Sequence, residues 1–221
     1  MNPIVAIDGP AGSGKSTLAR RLATELDLPY VNTGLMYRAV ALEAHRRGIE
    51  VDDAASLASL AGSIRFDLDP SVRPPTLRIE GREPADDLVS PEVESRVSRV
   101  ARHPEVRAVL RDRQRRLIQG GAVVEGRDIG SVVAPDAEVK LFLQADVDER
   151  ISRRSAERGA AVEPVGESLV HRDLADARTS PFVPAADAVE LDTTGMDAET
   201  VYGTALAIVR VKLAEREGRA R

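Results

Sequence analysis

The chain contains no cysteine in its 221 residues, so disulfide bonds and thiolate metal sites are excluded. Aromatic residues make up only 3% of the sequence, and the core must therefore consist mainly of Val, Leu, Ile and Ala. No apolar run is long enough to span a bilayer, and no basic segment followed by an apolar stretch opens the chain. We therefore expect a cytoplasmic protein with no membrane partner and no signal peptide.

Lysine and net positive charge are also scarce. The formal net charge is −5 at pH 7, which argues against a protein whose main task is to bind a nucleic acid backbone. Only three of the 31 basic residues are lysines, namely Lys15, Lys140 and Lys212. A general preference for arginine explains this bias most simply. Against that background, the lysine at position 15 stands out because it lies in a glycine-rich loop.

That loop follows a short apolar strand and fits the pattern G-x-x-x-x-G-K-[ST] of a P-loop. Its glycines let successive backbone N–H groups point inward toward phosphate, and the following helix adds the positive end of its dipole. In a P-loop, the lysine of the pattern contacts the β- and γ-phosphates, and the hydroxyl residue after it can ligate Mg²⁺. Lys15 and Ser16 occupy these two positions. The residues predicted to bind a nucleoside triphosphate are Gly9, Pro10, Ala11, Gly12, Ser13, Gly14, Lys15, Ser16 and Thr17.

Hydrophobic patterning predicts a single α/β domain around this loop. A strand at 3–7, a helix at 16–26 and an extended piece at 30–31 are the opening of a parallel sheet. Short extended runs at 64–68 and 77–80 predict a small antiparallel ribbon inserted in that body. Further strands are predicted before the 125–130 turn, at 138–145 and at 188–194. Further helices are predicted at 34–47, 91–101, 104–118, 147–158, 166–177 and 197–215.

The P-loop alone does not distinguish switches, motors and kinases. The guanine-reading N-K-x-D motif of GTPases is absent, and motors are usually larger than this chain. A small chain with one P-loop and several later arginines favours a small-molecule kinase. The alternative from a different class is a nucleotide-dependent switch or adaptor that hydrolyses ATP slowly and has no phosphate acceptor.

Two segments are candidates for the acceptor site. In "VNTGLMYR", Thr33 and Arg38 lie near a helix start and form either a second anion site or a helix cap beside a solvated arginine. In "EGRDIG", the pair Arg127 and Asp128 follows a strand end, where ligands bind in parallel α/β sheets. That pair either contacts a phosphate and a base or forms a local ion pair.

Four segments in order resemble the bacterial cytidylate kinases: "GPAGSGKST" at 9–17, "NTGLMYR" at 32–38, "EGRDIG" at 125–130 and "PAAD" at 184–187. The resemblance covers nearly the whole chain, including the ribbon. The chain departs from the family pattern at Asn32, where Asp is usual, and at Glu125, where Asp is common. The segment between Asp176 and Pro181 is also slightly shorter than in the family.

The resemblance implies a P-loop NTPase fold of three α/β/α layers with a five-stranded parallel sheet. It implies a core at about 1–34, 104–147 and 186–215, an acceptor-binding insert at about 35–103 and a short lid at about 148–180. The implied activity is transfer of the γ-phosphoryl group of ATP, with Mg²⁺, to CMP or dCMP in pyrimidine nucleotide metabolism. A monomer without a nucleic acid partner is expected.

The resemblance also implies a role for each site residue. Lys15 and the lid arginines, which are Arg150, Arg153, Arg154 and Arg172, act near the transferred group, and Ser16 holds the metal. Thr33 and Arg38 bind the acceptor phosphate, with Tyr37 beside it and Arg127 bridging toward phosphate. The cytosine is read by Ser98, Arg107 and Asp128. Asp176 and Arg178 approach the sugar and phosphates.

The cytosine assignment agrees with the chemistry of the base. Cytosine offers an amino donor at N4 and an acceptor at N3, which match the carboxylate of Asp128 and the guanidinium of Arg107. Uracil reverses both groups and leaves two mismatched polar partners, a strong basis for discrimination. The nearest enzymatic rivals are kinases of UMP, AMP or shikimate, and the ribbon and "EGRD" count against them.

Overall fold

The computed structural model describes residues 2–158, 162–179 and 182–219, apart from the side chains at 157, 158, 162–164, 168, 172, 217 and 219. Seven strands form one sheet in the order β3-β4-β2-β5-β1-β6-β7. The strands are β1 (Ile4–Asp8), β2 (Tyr30–Asn32), β3 (Phe66–Asp69), β4 (Thr76–Ile79), β5 (Ala122–Gly126), β6 (Val139–Gln144) and β7 (Val189–Asp192).

Six of these strands, β4, β2, β5, β1, β6 and β7, run parallel, one more than the five that were predicted. The predicted ribbon, β3 and β4, is antiparallel but is not a separate unit. β4 extends the parallel sheet by pairing with β2 at Tyr30 and Thr76, and the N–H of Tyr30 donates to the carbonyl of Pro75 at 2.8 Å. The ribbon therefore covers the edge of β2, whose backbone groups would otherwise lack partners.

The described residues form eight α-helices. They are α1 (Lys15–Leu26), α2 (Thr33–Arg46), α3 (Ala54–Ser63), α4 (Pro91–Ala101), α5 (Pro104–Ile118), α6 (Val147–Arg158), α7 (Val162–Thr179) and α8 (Ala198–Arg219). Both α4 and α5 open on a proline, which needs no hydrogen-bond acceptor for a backbone N–H at that position. A 3-10 turn occupies Asp86–Val89 and a π-helical turn occupies Ile129–Val133.

Helix α3 was not predicted from the sequence. The side chain of Asp53 accepts a hydrogen bond from the N–H of Ser56 at 3.1 Å and so caps the helix. Leu57 and Leu60 are buried on its inner face. The signal is present in the printed sequence, since Asp53 precedes an Ala- and Leu-rich run that ends at Gly62 and Ser63.

Alternation along β1 divides the core into two layers. Val5 and Ile7 pack with α1 and α8 on one face of the sheet, while Ala6 packs with Ile118 of α5 and the π-helical turn on the other. Burial on both faces explains why the central strands are apolar almost throughout. The predicted three-layer α/β/α architecture is confirmed. A further apolar cluster joins α2, α3, α4, α5 and the ribbon.

The parallel strands end at one edge of the sheet, where ligands bind in folds of this kind. The P-loop connects β1 to α1 at that edge, and the 127–130 turn follows β5. The division into core, insert and lid stays a prediction. Among the described residues, no helix combines the length and apolarity needed to cross a bilayer.

Candidate active site

The P-loop curls through three glycines with positive φ: Gly9 at +145°, Gly12 at +75° and Gly14 at +89°. A Cβ atom on Gly9 would lie 2.1 Å from the carbonyl oxygen of Leu143, so no larger residue fits there. Helix α1 begins at Lys15, and Gly14 provides no side-chain cap. The first N–H groups of α1 are thus left for an anion, as the P-loop pattern predicts.

Lys15 is packed against this loop, and only 8% of its surface is exposed. Its Nζ donates to the carbonyl oxygen of Pro10 at 2.5 Å and approaches Ser13 Oγ at 3.4 Å. These contacts hold the ammonium group at the mouth of the loop, where it also lines two adjoining cavities. An ammonium group at this position can neutralise charge that develops on a transferred phosphoryl group.

The first cavity, of about 310 Å³, lies between the P-loop, α2, α4 and α5. It brings together most of the residues predicted for catalysis and acceptor binding. The predicted residues that line it are Ala11, Gly12, Lys15, Ser16, Thr17, Thr33, Tyr37, Arg38, Ser98, Arg107, Arg127, Asp128, Arg154 and Asp176. Sequence reasoning did not assign Gln114, Glu125 or Thr179, which also line it.

The start of α2 combines the two readings of "VNTGLMYR". Asn32 caps the helix, because its side chain accepts from the N–H of Leu35 at 3.3 Å. The hydroxyl of Thr33 donates to the backbone carbonyl of Glu125 at 2.8 Å. Arg38 is buried rather than solvated and donates to the carbonyl of Leu88 at 2.8 Å. The cap therefore exists, and a buried arginine faces the cavity as well.

Arg107 and Asp128 form an ion pair across the first cavity. The guanidinium of Arg107 on α5 meets the carboxylate of Asp128 at 2.5 Å, and both side chains are partly accessible from the cavity. Tyr37 lies near both charges, and burial raises the pKa of its phenol to about 12. Gln114 contacts the same phenol and is almost fully buried. This wall offers a carboxylate acceptor and guanidinium donors to a flat polar ligand.

Asp176 joins three parts of the structure. Its carboxylate accepts from Ser98 Oγ on α4 at 2.9 Å and from Arg127 NH2 at 3.0 Å. Arg127 NH1 in turn donates to the carbonyl of Gly9 at 2.6 Å. Helix α7, which lies in the predicted lid, is thereby connected to the insert, to the "EGRD" turn and to the start of the P-loop.

The predicted lid arginines occupy different surroundings. Arg150 is buried and donates to the carbonyls of Ala11 and Ala145, both at 3.1 Å, and to the carboxylate of Asp173 at 2.5 Å. Among the described residues it lines neither cavity, so its catalytic role stays a prediction. Arg153 donates to Thr193 and lines the second cavity, while Arg154 lines both.

Two further residues of the predicted site, Arg172 and Arg178, belong to α7. The side chain of Arg172 lies outside the described residues, and its predicted role is not tested. Arg178 is exposed in the last turn of α7 and does not line the cavity, whereas its neighbour Thr179 does. The short segment that follows Asp176 thus places position 179 rather than 178 on the cavity wall.

Glu125, at the end of β5, lies directly beside the P-loop. Its carboxylate accepts from Ser16 Oγ at 2.9 Å and, through the other oxygen, from the hydroxyl of Tyr30. Only 4% of Glu125 is exposed. Tyr30 is buried as well, and its burial, together with the neighbouring Glu125 carboxylate, raises the pKa of its phenol. No group of three or more His, Asp or Glu suited to a metal occurs within the described part of the chain.

A second cavity, of about 430 Å³, lies on the other side of the P-loop. Residues that sequence reasoning did not single out form its far wall: Met196, Asp197, Ala198 and Val201. These residues follow β7 and begin α8. In the sequence, only their position after the last predicted strand could have indicated that they line a cavity. The shared P-loop wall makes this cavity suited to the base and sugar of a phosphoryl donor.

Comparisons with known proteins agree with this geometry. The family model described as "Cytidylate kinase" matches residues 5–211. A cytidylate kinase of Geobacillus thermodenitrificans is 42% identical over 217 residues, covering 95% of this chain and 97% of the relative. One from Streptomyces avermitilis is 42% identical over 221 residues, covering 96% and 95%.

Among solved structures, the chain is similar to TT1252 from Thermus thermophilus, with a TM-score of 0.48, 20% identity and coverage of 96% of this chain and 99% of that one. The P-loop, the first cavity and the match along nearly the whole sequence lead to one assignment, which confirms the predicted family: the chain belongs to the cytidylate kinases.

Proposed function

We propose that this protein transfers the γ-phosphoryl group of ATP to CMP or dCMP and forms CDP or dCDP. The observation that carries the proposal is the first cavity, in which Lys15 and Ser16 of the P-loop face the pair Arg107 and Asp128. One cavity thus holds a triphosphate-binding loop at one end and a base-reading pair at the other. Membership of the cytidylate kinase family supports this reading.

The ion pair of Arg107 and Asp128 supports cytosine as the acceptor base. The carboxylate can accept from the N4 amino group, and the guanidinium can donate to N3 or to the carbonyl oxygen. Their 2.5 Å contact keeps both groups satisfied until the base arrives. With uracil, the carboxylate would face a carbonyl oxygen, which leaves a buried charge without its partner.

The positions of Arg38 and Arg127 support the proposal that the acceptor carries a phosphate group. Arg38 is buried where α2 meets the cavity, and Arg127 projects from the turn after β5 and contacts the start of the P-loop. Two guanidinium groups on one side of a cavity suit a dianionic phosphate. Because that phosphate is already an anion, attack on the γ-phosphorus needs no covalent intermediate and no strong general base.

Catalysis then depends on positioning and on charge neutralisation. Lys15 and Arg154 lie where the two cavities adjoin, which is where the phosphoryl group passes from donor to acceptor. Arg150 holds helix α6 on the P-loop through the carbonyl of Ala11. The α6–α7 segment is accordingly a lid that excludes water and so limits hydrolysis of ATP.

The residues present fit a magnesium ion. The hydroxyl of Ser16 and the carboxylate of Glu125 are hard oxygen donors 2.9 Å apart, and within the described ranges no ion pair neutralises that buried carboxylate. Ser16 would bind the ion directly, and Glu125 would orient the Ser16 hydroxyl and hold water around the metal. Bound Mg²⁺ would shield the charge of the β- and γ-phosphates.

The experiment is ADP release from Mg-ATP with CMP, dCMP, UMP, AMP or shikimate as acceptor, and with none. We expect strong stimulation by CMP and dCMP and little by the other three. Equal stimulation by UMP would contradict the cytosine assignment but would still agree with a kinase of pyrimidine nucleotides. ATP binding without any acceptor-stimulated release would favour the nucleotide-dependent switch. The monomeric state and the cytoplasmic location stay predictions.

A further inference from the structure

We propose that Asp8 is a positioning residue for acceptor recognition, because its carboxylate holds the turn that carries Arg127 and Asp128. Asp8 is the last residue of β1 and stands directly before the P-loop. It has no place in the nucleotide-binding pattern and does not line either cavity. The inference rests on the proposed function, since it concerns how the CMP site is held in shape.

Both oxygens of the Asp8 carboxylate are used by the turn after β5. Oδ1 accepts from the N–H of Ile129 and Oδ2 accepts from the N–H of Gly130, each at 2.8 Å. Asp8 is 7% exposed, so water does not compete effectively for these N–H groups. Charge-assisted bonds of this kind are among the stronger hydrogen bonds in proteins.

The two N–H groups belong to the residues that immediately follow Asp128. Holding them fixes the peptide planes from which the Asp128 side chain projects toward Arg107. The turn is also confined from behind, because a Cβ on Gly130 would lie 3.1 Å from Lys140 Cδ and 3.4 Å from Asp8 Oδ2. Asp8 therefore restrains the direction of the base-reading carboxylate without contacting a ligand.

A second contact connects the same two segments. Arg127 NH1 donates to the carbonyl of Gly9, the residue next to Asp8, at 2.6 Å. The end of β1 thus holds the turn on both sides of Asp128. Since the P-loop begins at this point, the segment that binds the donor and the turn that reads the acceptor share one anchor.

An asparagine at position 8 offers a sharp perturbation. It has nearly the same shape, but its NH2 group faces an N–H donor where a carboxylate oxygen accepts. One of the two bonds is lost while the P-loop sequence, the Arg107–Asp128 pair and the space around Gly130 are kept. Lys15 and Asp128 are the charged groups whose fields reach Asp8, and neither is altered.

The test compares the steady-state kinetics of Asp8→Asn with those of the unaltered protein. We expect KM for CMP to rise about tenfold or more, the effect of losing one hydrogen bond to a charged group. KM for ATP and the direct binding of a non-hydrolysable ATP analogue should change little. The matched control is Asp136→Asn, an exposed aspartate in the loop after the same turn, which should leave both KM values unchanged.

A merely structural role predicts a different result. In that case Asp8→Asn lowers the melting temperature while KM for CMP stays the same, or it weakens CMP and ATP binding alike, and either result overturns the inference. If Asp8→Asn does not yield folded protein, Asp8→Ser is measured with the same two readouts and the same outcomes. Failure of the unaltered protein to use CMP would instead contradict the proposed function, so the two failures are distinguishable.

Discussion

Ser98 on α4 donates a hydrogen bond of 2.9 Å to Asp176 on α7, although 78 residues separate the two in sequence. The same carboxylate binds Arg127, which contacts the carbonyl of Gly9 at the start of the P-loop. One carboxylate therefore connects α4, α7, the turn after β5 and the start of the P-loop around the first cavity. We therefore expect acceptor binding to depend on the contact between Ser98 and Asp176.

Ser98→Ala should weaken acceptor binding more than donor binding. Removal of the hydroxyl leaves one oxygen of Asp176 with one partner fewer and loosens the connection between α4 and α7. A hydrogen bond to a charged group corresponds to about a tenfold change in KM for CMP, with KM for ATP nearly constant. The measurement is initial-rate kinetics with each substrate varied in turn.

Ser95→Ala is the matched control for Ser98→Ala. Ser95 lies on the same helix, is exposed, and bonds only to the carbonyl of Glu92 among the described contacts. Its removal should leave KM for CMP unchanged. Equal effects of the two substitutions would show that α4 tolerates neither change, and would remove the specific role given to the contact between Ser98 and Asp176.

Lys15→Met should reduce kcat by about a hundredfold to a thousandfold, the usual cost of losing one group that stabilises transition-state charge. Methionine fills the space of the buried lysine stem, so the free energy of unfolding should change little. Lys212→Met, at a partly exposed position on α8, is the control and should keep full activity. Loss of ATP binding with no further loss of kcat would contradict the catalytic role.

Much of this architecture could be predicted from local sequence. Pro91 and Pro104 fix the starts of α4 and α5, and the glycines at 9, 12 and 14 fix the P-loop, because these residues act through their own backbone angles. Helix α3 could have been recognised from the cap at Asp53. The pairing of the ribbon with the sheet could not be predicted from the sequence, because it consists of one residue pair between β2 and β4 that depends on tertiary packing.

The candidate site likewise contains residues that could be predicted from the sequence and contacts that could not. The positions of Lys15 and Ser16 on the cavity could be predicted from the P-loop pattern, and that of Asp128 from its place after a strand end and from the family resemblance. Glu125 and Tyr30 could not be paired from sequence, since they are 95 positions apart and their contact depends on two neighbouring strands. The bond from Asp8 to the turn after β5 is likewise a product of the β1–β5 register.

The pH dependence of Asp8 gives a prediction of its own. Burial disfavours the charged form and raises the pKa of this carboxyl from 3.8 to about 6, despite the two N–H donors that lower it. Between these two pH values the folded protein binds more protons at Asp8 than the unfolded chain does. The contribution of Asp8 to the free energy of unfolding therefore falls as pH rises through that window, by about 3 kcal/mol.

Carboxyl-carbon NMR of the folded protein measures this titration directly, with an expected midpoint of about 6 for Asp8. Urea unfolding at several pH values supplies the second readout. The difference in unfolding free energy between the unaltered protein and Asp8→Asn should shift in the direction just given. A midpoint below 3.8 would mean that the two N–H donors outweigh burial, and would reverse the sign of the pH dependence.

Glu125→Gln should weaken the metal site without emptying the nucleotide site. Loss of the carboxylate charge beside Ser16 should lower the affinity for Mn²⁺ bound together with an ATP analogue about tenfold or more, as expected for a group that orients a metal ligand. Electron paramagnetic resonance of free Mn²⁺ measures this affinity without turnover. Glu190→Gln, at an exposed position on β7, is the control. Unchanged Mn²⁺ affinity in Glu125→Gln would separate Glu125 from the metal.

The central claim is that the pair of Arg107 and Asp128 recognises cytosine, and the ratio of kcat/KM for CMP to that for UMP tests it most directly. The unaltered protein should favour CMP by about a thousandfold or more, and Asp128→Asn should reduce the ratio by at least about a hundredfold, since an amide can also donate to the uracil carbonyl. Asp112→Asn, an exposed position on α5, should preserve the ratio. An Asp128→Asn variant that keeps full preference for CMP would contradict the account.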